Sequence, residues 1–402
     1  MTTRPLAKRL DVVKPSATVA ISDRARALKQ QGIDVISFSV GEPDFDTPKH
    51  IVDAAKKSID DGHTRYTESR GILELRKAIC EDSKRRRGGI EHKPSEVVVS
   101  VGAKHTLFNL AAVLFEAGDE VIVPAPYWVS YPEQARMFDA EPVFIETTPE
   151  EGFRVTPEKL EQAITKRTKA LVLCTPSNPT GAAYAREHLR ALADVAKKHD
   201  FWIIVDEIYA QLVYGGFKAV SILEVAPELK DRIIIVDGVS KTYAMTGFRI
   251  GWMLGPEHVA KECDKVQGQA TTNPTTTAQY AALAALNGTQ EPIEAMRKAF
   301  EERRSLVVNG LNAIPGLSCR MPEGAFYAFF SVKDLLGKTT PDGKTLNDDL
   351  AVATYFIDEA KCALVPGGAF GAPGFMRMSY ATSNANIAEG LRRMGEAVGK
   401  LR

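Results

Sequence analysis

Three apolar runs of the sequence end in polar residues that could act together. Ala170–Cys174 leads into Thr175-Pro176-Ser177-Asn178-Pro179-Thr180-Gly181, Phe201–Val205 into Asp206-Glu207-Ile208-Tyr209, and Ile233–Val236 into Asp237-Gly238-Val239-Ser240-Lys241. Arg249 follows shortly after. In open α/β sheets the carboxyl ends of neighbouring strands open on one crevice. Such a crevice would hold an amide, a carboxylate, a phenol, an amine and a guanidinium, which are groups for proton transfer and anion binding.

Phosphate sites are fewer than the glycines suggest. No GxGxxG follows a strand-like run, so the dinucleotide fingerprint is missing. Gly337-Lys338-Thr339 and Gly343-Lys344-Thr345 lack the upstream glycine of a P-loop, which is Val332 in one case and Lys338 in the other. Gly367–Gly374 reads as a loop. Gly102-Ala103-Lys104 remains, where VVVSV turns into a helix whose first N–H groups and dipole favour an anion.

The elements around these residues alternate. Val97–Val101, Val121–Val123, Val143–Ile145, Ala170–Cys174, Phe201–Val205 and Ile233–Val236 are short and apolar on both faces, as in a buried parallel sheet. Helical spacing separates several of them, as in Leu107–Phe115, with Gly118 expected to end that helix, and His188–Lys198. The expected class is α/β. A long charged helix is expected over Glu291–Asn312, with Met296, Phe300, Leu306, Val307 and Leu311 as its apolar positions. Strands are expected at Ala325–Phe330 and Phe375–Ala381, and an exposed loop at 332–349. These suggest a second, smaller α+β domain.

Composition narrows the class. The 402 residues are 44% hydrophobic and 25% charged, which excludes disordered and fibrous chains. Lysine plus arginine and aspartate plus glutamate are 51 each, so nothing points to nucleic acid or a membrane surface. There is no apolar span and no signal-peptide pattern, and the five cysteines have no CxxC spacing; a cytoplasmic protein is expected. No His/Cys/carboxylate cluster has metal-ligand spacing, so no metal is expected.

The run GVSKTYAMTGFRIG, Gly238–Gly251, resembles the pyridoxal-phosphate attachment motif of class I/II aminotransferases. SNPTG, DEIY, PYWVSY and MRMSYA follow that family's order and spacing. KPSATVA, VGEPDFDTP and VGAKHTLFNL resemble its bacterial Ib branch of aspartate aminotransferases, and the likeness runs from Lys14 to the C-terminus. The resemblance implies fold type I, with a mostly parallel seven-stranded sheet in a large domain, 46–290. A smaller α+β domain would combine an N-terminal segment, 1–45, with 291–402.

It also implies roles. Lys241 would be the Schiff-base lysine of pyridoxal 5′-phosphate and the proton shuttle. Asp206 would pair with the ring nitrogen, which keeps the ring an electron sink. Tyr209 and Asn178 would bond the ring hydroxyl oxygen, Pro179 would be cis, and Trp128 would lie against the ring. Arg249 and the N–H groups of Gly102 and Ala103 would hold the phosphate. Gly238 stands where some relatives carry a phosphate-binding serine, with Ser240 as the candidate substitute. Arg377, an arginine inside an apolar run, would grip the substrate α-carboxylate, with Gly41 beside it. Tyr66 would reach the phosphate of a neighbouring subunit, which implies a homodimer with sites at the interface.

Substrate choice turns on one departure. Gln267–Pro274 holds no arginine, whereas the α branch uses one from the partner subunit for the distal carboxylate. In the Ib branch a lysine after the phosphate-binding glycine does this, and Lys104 occupies that position, with Ser16 and Thr18 as helpers. A lysine in the first helical turn opposes the dipole, which favours a ligand role. The implied reaction is L-aspartate plus 2-oxoglutarate giving oxaloacetate plus L-glutamate, by a ping-pong route between dicarboxylic amino and 2-oxo acids. Prephenate or aromatic/kynurenine transamination is the alternative. A β-lyase, a cyclopropane-forming synthase and a sensor built on the same body are the rival classes; the sensor would carry an added DNA-binding domain.

Overall fold

Apolar alternation in the middle of the chain builds one large sheet. The computed structural model describes residues 6–15 and 17–402, without the side chains of Ala17 and Thr18. The chain opens with α1 (Ala17–Gln30), β1 (Ile36–Ser37), α2 (Lys49–Asp60) and α3 (Leu73–Arg86). Then come β2 (Val97–Val101), α4 (Ala103–Leu114), β3 (Glu120–Ala125), α5 (Ser130–Met137), β4 (Glu141–Glu146), α6 (Pro157–Ala163) and β5 (Thr168–Cys174). After these follow α7 (Arg186–Lys197), β6 (Trp202–Asp206), α8 (Ile222–Val225), β7 (Ile233–Gly238), β8 (Ile250–Leu254), α9 (Glu257–Ala270) and α10 (Thr276–Asn287). Strands β2 to β8 form a 7-stranded sheet in the order β2-β8-β7-β6-β5-β3-β4. Only β8 runs antiparallel to its neighbours.

Residues of one strand alternate between two cores. Val97, Leu171, Ile203 and Ile235 pack on the side of α3, α7 and α10. Val98, Val172, Ile204 and Ile234 pack on the side of α4, α5 and α9. Burial on both faces explains why the central runs read as continuously apolar, whereas Val143–Ile145, expected to be equally buried, lies in the edge strand β4 and leaves Phe144 40% exposed. The α/β expectation therefore holds, and β8, whose IGWML run closely follows the turn after β7, is the strand of this sheet that the sequence pattern did not mark.

A second sheet closes the crevice from above. It follows α11 (Glu291–Asn312), β9 (Ser318–Cys319) and β10 (Tyr327–Ser331), then α12 (Asp349–Asp358), β11 (Cys362–Ala363), β12 (Val365–Pro366), β13 (Phe375–Ser379) and α13 (Asn384–Gly399). Its order is β12-β13-β10-β9, all antiparallel. β1 pairs in parallel with β11, which ties the segment before the large sheet to the last quarter of the chain.

Three expectations need correction. α4 ends at Leu114, so Gly118 lies in the turn before β3 rather than at the helix end. Residues 332–349 are not a free loop: Val332, Leu335 and Leu346 are buried in the core under β10 and β13, and Thr339 bridges Thr345. The apolar residues of that segment recur too irregularly to show a period, yet they still have a core to fill. Leu306 is 37% exposed, off the buried face of α11 that carries Met296, Phe300, Val307 and Leu311.

Candidate active site

The carboxyl ends of β5, β6 and β7 meet β13 and the N-terminus of α4 around a cavity of about 270 Å³. Cys174 and Asp206 are paired across β5 and β6, and Asp206 faces Val236 on β7. The chain past β7 then brings Ser240 and Lys241 to the same wall. Gly41, Ala103, Lys104, Trp128, Asn178, Tyr209, Arg249 and Arg377 complete it. The Asn178–Pro179 peptide is cis as expected; Ala125–Pro126 and Thr175–Pro176 are cis as well.

Hydrogen bonds hold most of these groups. Lys241 Nζ donates to Gly41 O at 2.7 Å. Burial pulls its pKa down from the usual 10.5 to about 8, opposed by the Glu42 carboxylate and assisted by Arg249. Asp206 accepts from Tyr131 Oη at 2.8 Å and from Ile208 N at 3.1 Å. Burial pushes its carboxyl up to about 6, against both hydrogen bonds. Arg377 is fully buried, donates from Nη1 to Asn178 Oδ1 at 2.9 Å and from Nη2 to Ser39 O at 2.6 Å, and lies over the ring of Tyr327. Its Nε has no partner among the described residues. Lys104, Lys241, Arg249 and Arg377 line the cavity against one carboxylate, Asp206, so the wall is cationic and suits anions.

The phosphate end is a cradle that admits no extra atoms. Gly102 has φ +83°, a left-handed value that only glycine adopts without strain, and a Cβ there would sit 2.8 Å from Arg249 Nη2. Arg249 itself has φ +55°, an uncommon conformation for a residue with a side chain. Together with the first N–H groups of α4 this is a site for a dianion. Gly238 packs on Gly251 of β8, with 2.9 Å from its Cβ position to Gly251 Cα. A serine there would press on the neighbouring strand, while Ser240 lines the cavity. Gly41 is equally constrained, since a Cβ would lie 2.6 Å from Tyr327 Oη. An amine, a buried carboxylate, amide and phenol groups and an anion cradle fit a phosphorylated pyridine aldehyde.

Lys104 sits in the first turn of α4, its ammonium 4.9 Å from the centre of the Trp128 ring. Desolvation, then Arg249, lowers its pKa. Tyr66 is not brought to this cavity; it is 86% exposed. Ser16 and the Thr18 side chain lie outside the described residues. Sequence reading missed Tyr131, which donates to Asp206, and Tyr327, whose Oη is 2.9 Å from Tyr209 Oη. Tyr131 stood inside PYWVSY, but nothing in the sequence links it to a residue on a distant strand. All five cysteines are free thiols. No helix among the described residues is long and apolar enough to cross a membrane.

Comparison with known proteins agrees with this geometry. A family model described as aminotransferase class I and II matches residues 33–394. An aspartate aminotransferase of Geobacillus stearothermophilus is 49% identical over 94% of this chain and 95% of its own. An aspartate/prephenate aminotransferase of Nitrosomonas europaea is 44% identical over 97% and 98%. The crystal structure of an aspartate aminotransferase from Rhizobium meliloti superposes with a TM-score of 0.96 at 45% identity, covering 100% of both chains.

Proposed function

We propose, for a chain that belongs to the class I and II aminotransferases and is a pyridoxal-phosphate-dependent enzyme, that it transfers the amino group of L-aspartate to 2-oxoglutarate. The observation that carries this reading is one cationic cavity holding Lys241, Asp206, Arg249 and Arg377 beside a glycine cradle. Bound pyridoxal phosphate supplies the aldehyde that takes the amino group and the ring that withdraws charge from the substrate Cα. Lys241 Nζ takes the proton from that Cα and returns it. Asp206 holds the proton of the ring nitrogen, while Asn178 and Tyr209 bond the ring hydroxyl oxygen and Trp128 packs on the ring. Arg249, Ser240 and the N–H groups of Gly102 and Ala103 bind the phosphate. Arg377, with Gly41 beside it, binds the α-carboxylate common to both substrates, so one site serves both halves of a ping-pong cycle.

The distal carboxylate falls to Lys104, with Ser16 and Thr18 assisting. The test is the near-visible spectrum of the holoenzyme, wild type and Lys104→Ala. Wild type loses its yellow absorbance with L-aspartate alone and regains it with 2-oxoglutarate. A yellow wild type that ignores L-aspartate refutes the substrate reading. In Lys104→Ala the bleaching rate should fall about 10- to 100-fold for aspartate and little for an apolar amino acid, the worth of a hydrogen bond to a charged group. Equal losses for both remove Lys104 from the role. Release of ammonia and pyruvate in place of a 2-oxo acid would mark a lyase.

A second reading is prephenate. A second cavity of about 620 Å³ shares Lys104, Val129 and Arg249 with the first and is lined further by Phe108, Tyr127, Met137 and Phe144. That apolar space could take a ring that also carries a carboxylate.

We place the working unit as a cytoplasmic homodimer. Tyr66 is 86% exposed and stands away from its own chain's cavity, and a partner's phosphate site would give it a role. Within each chain, 46–290 would form the large domain and 1–45 with 291–402 the small one. Sedimentation at twice the 43.9 kDa chain mass is expected, and the mass of one chain would refute it.

A further inference from the structure

Asp206 is held more tightly than a strand-end aspartate needs. It is 4% exposed, its Oδ1 accepts the Ile208 N–H, and its Oδ2 accepts the Tyr131 hydroxyl at 2.8 Å. Tyr131 comes from α5, a different layer, and is itself 5% exposed. Trp128 packs edge-on against it at 5.3 Å, which fixes the ring. A phenol donating to a carboxylate makes a charge-assisted bond, stronger than one to a neutral acceptor.

We propose that Tyr131 is a positioning residue that keeps Asp206 ionised and in a single rotamer for the cationic ring nitrogen of pyridoxal phosphate. The proposal rests on the reading of Asp206 as that nitrogen's partner. Without the phenol, Oδ2 is a buried acceptor with no donor, and its charge is costly.

The groups around Asp206 make the direction of the effect plain. Tyr131 faces it from α5, Asp237 from β7 and Lys241 from the turn beyond, and Cys174 pairs with it across β5 and β6. Asp237 repels the Asp206 charge, but Arg86 and Arg87 pair with it at 2.6 and 2.7 Å. Cys174 is a buried thiol whose pKa burial raises, so it stays neutral. In the apoprotein, Tyr131 is therefore the neutral donor that offsets desolvation, and its loss leaves Asp206 protonated up to a higher pH.

The experiment is pyridoxal phosphate binding to apoprotein, read by tryptophan fluorescence from pH 5 to 8.5, for wild type, Tyr131→Phe and Asp206→Asn. Tyr131→Phe should bind about tenfold more weakly at pH 7. Its loss of affinity on the acid side should move up by about one pH unit. A Tyr131→Phe profile that overlies wild type, or falls uniformly with no shift on the pH axis, overturns the proposal. Asp206→Asn binding as tightly as wild type at every pH would sink the reading of Asp206 itself. A measurement on wild type guards against a variant that does not fold. With selectively labelled tyrosine, the Tyr131 hydroxyl proton should exchange slowly with water, and exchange as fast as in free tyrosine overturns the proposal.

Discussion

Lys241→Ala lowers the turnover of L-aspartate by about four orders of magnitude or more, while pyridoxal phosphate stays bound. The loss includes a positioned proton-transfer group, worth about 10²–10⁴, and the amine that bonds the cofactor aldehyde. No neighbour replaces it. Burial raises the Tyr209 phenol well above its usual range, and Asp206 is tied to Tyr131 and Ile208. Binding survives because Arg249, the α4 N-terminus and Asp206 remain. Stopped-flow absorbance with L-aspartate alone is the measurement, and bleaching within tenfold of the wild-type rate would show that another group moves the proton. The pH dependence has a defined sign. Burial disfavours the ammonium, so in the apoprotein the free amine predominates above about 8 rather than above 10.5. Acylation of Lys241, followed by peptide mass against pH, should have its midpoint near 8; a midpoint at 10.5 contradicts the burial argument.

Arg377→Leu lowers kcat/KM by about three orders of magnitude, and by similar factors for aspartate and 2-oxoglutarate. The estimate is the ~3–5 kcal/mol typical when one partner of a buried charge pair is truncated. Equal loss follows because both substrates carry the same α-carboxylate, in contrast to the side-chain selectivity expected of Lys104→Ala. Arg377→Lys should recover little. The planar fork that reaches Asn178 Oδ1 and Ser39 O from two nitrogens cannot be copied by one ammonium. Leucine is compatible with the surrounding Phe370 and Tyr327, so the melting temperature should change by only a few degrees, separating lost binding from lost fold. A variant that loses aspartate but keeps 2-oxoglutarate would move the α-carboxylate to another residue.

Much of the architecture was legible in the sequence because it is set by local pattern. VVVSV, LVLC and IIIVDG are apolar at nearly every buried position, Ser100 and Asp237 apart, and that pattern points to strands covered on both faces. The α11 boundaries, Glu291–Asn312, and the turn from β2 into α4 follow from periodicity and from a glycine at the join. Arg377 stood out as an arginine inside an apolar run, whereas Lys241, Asp206 and Asn178 were marked by the motif resemblance. What sequence could not specify is which distant side chains touch. Arg377 meets Asn178 because β13 is laid over the end of β5, and Tyr131 meets Asp206 because α5, packed on β3, β4 and α4, brings the phenol to the end of β6. Tyr327 lies under Gly41 for the same kind of reason. The 332–349 segment escaped because its apolar residues recur too irregularly to show a period, and β8, a short run directly after the turn that carries Arg249, was not separated from that turn. Periodicity is a property of neighbours along the chain, so it determined the elements. The contacts that tune the cavity join residues far apart in sequence, and only packing of one layer on another decided them.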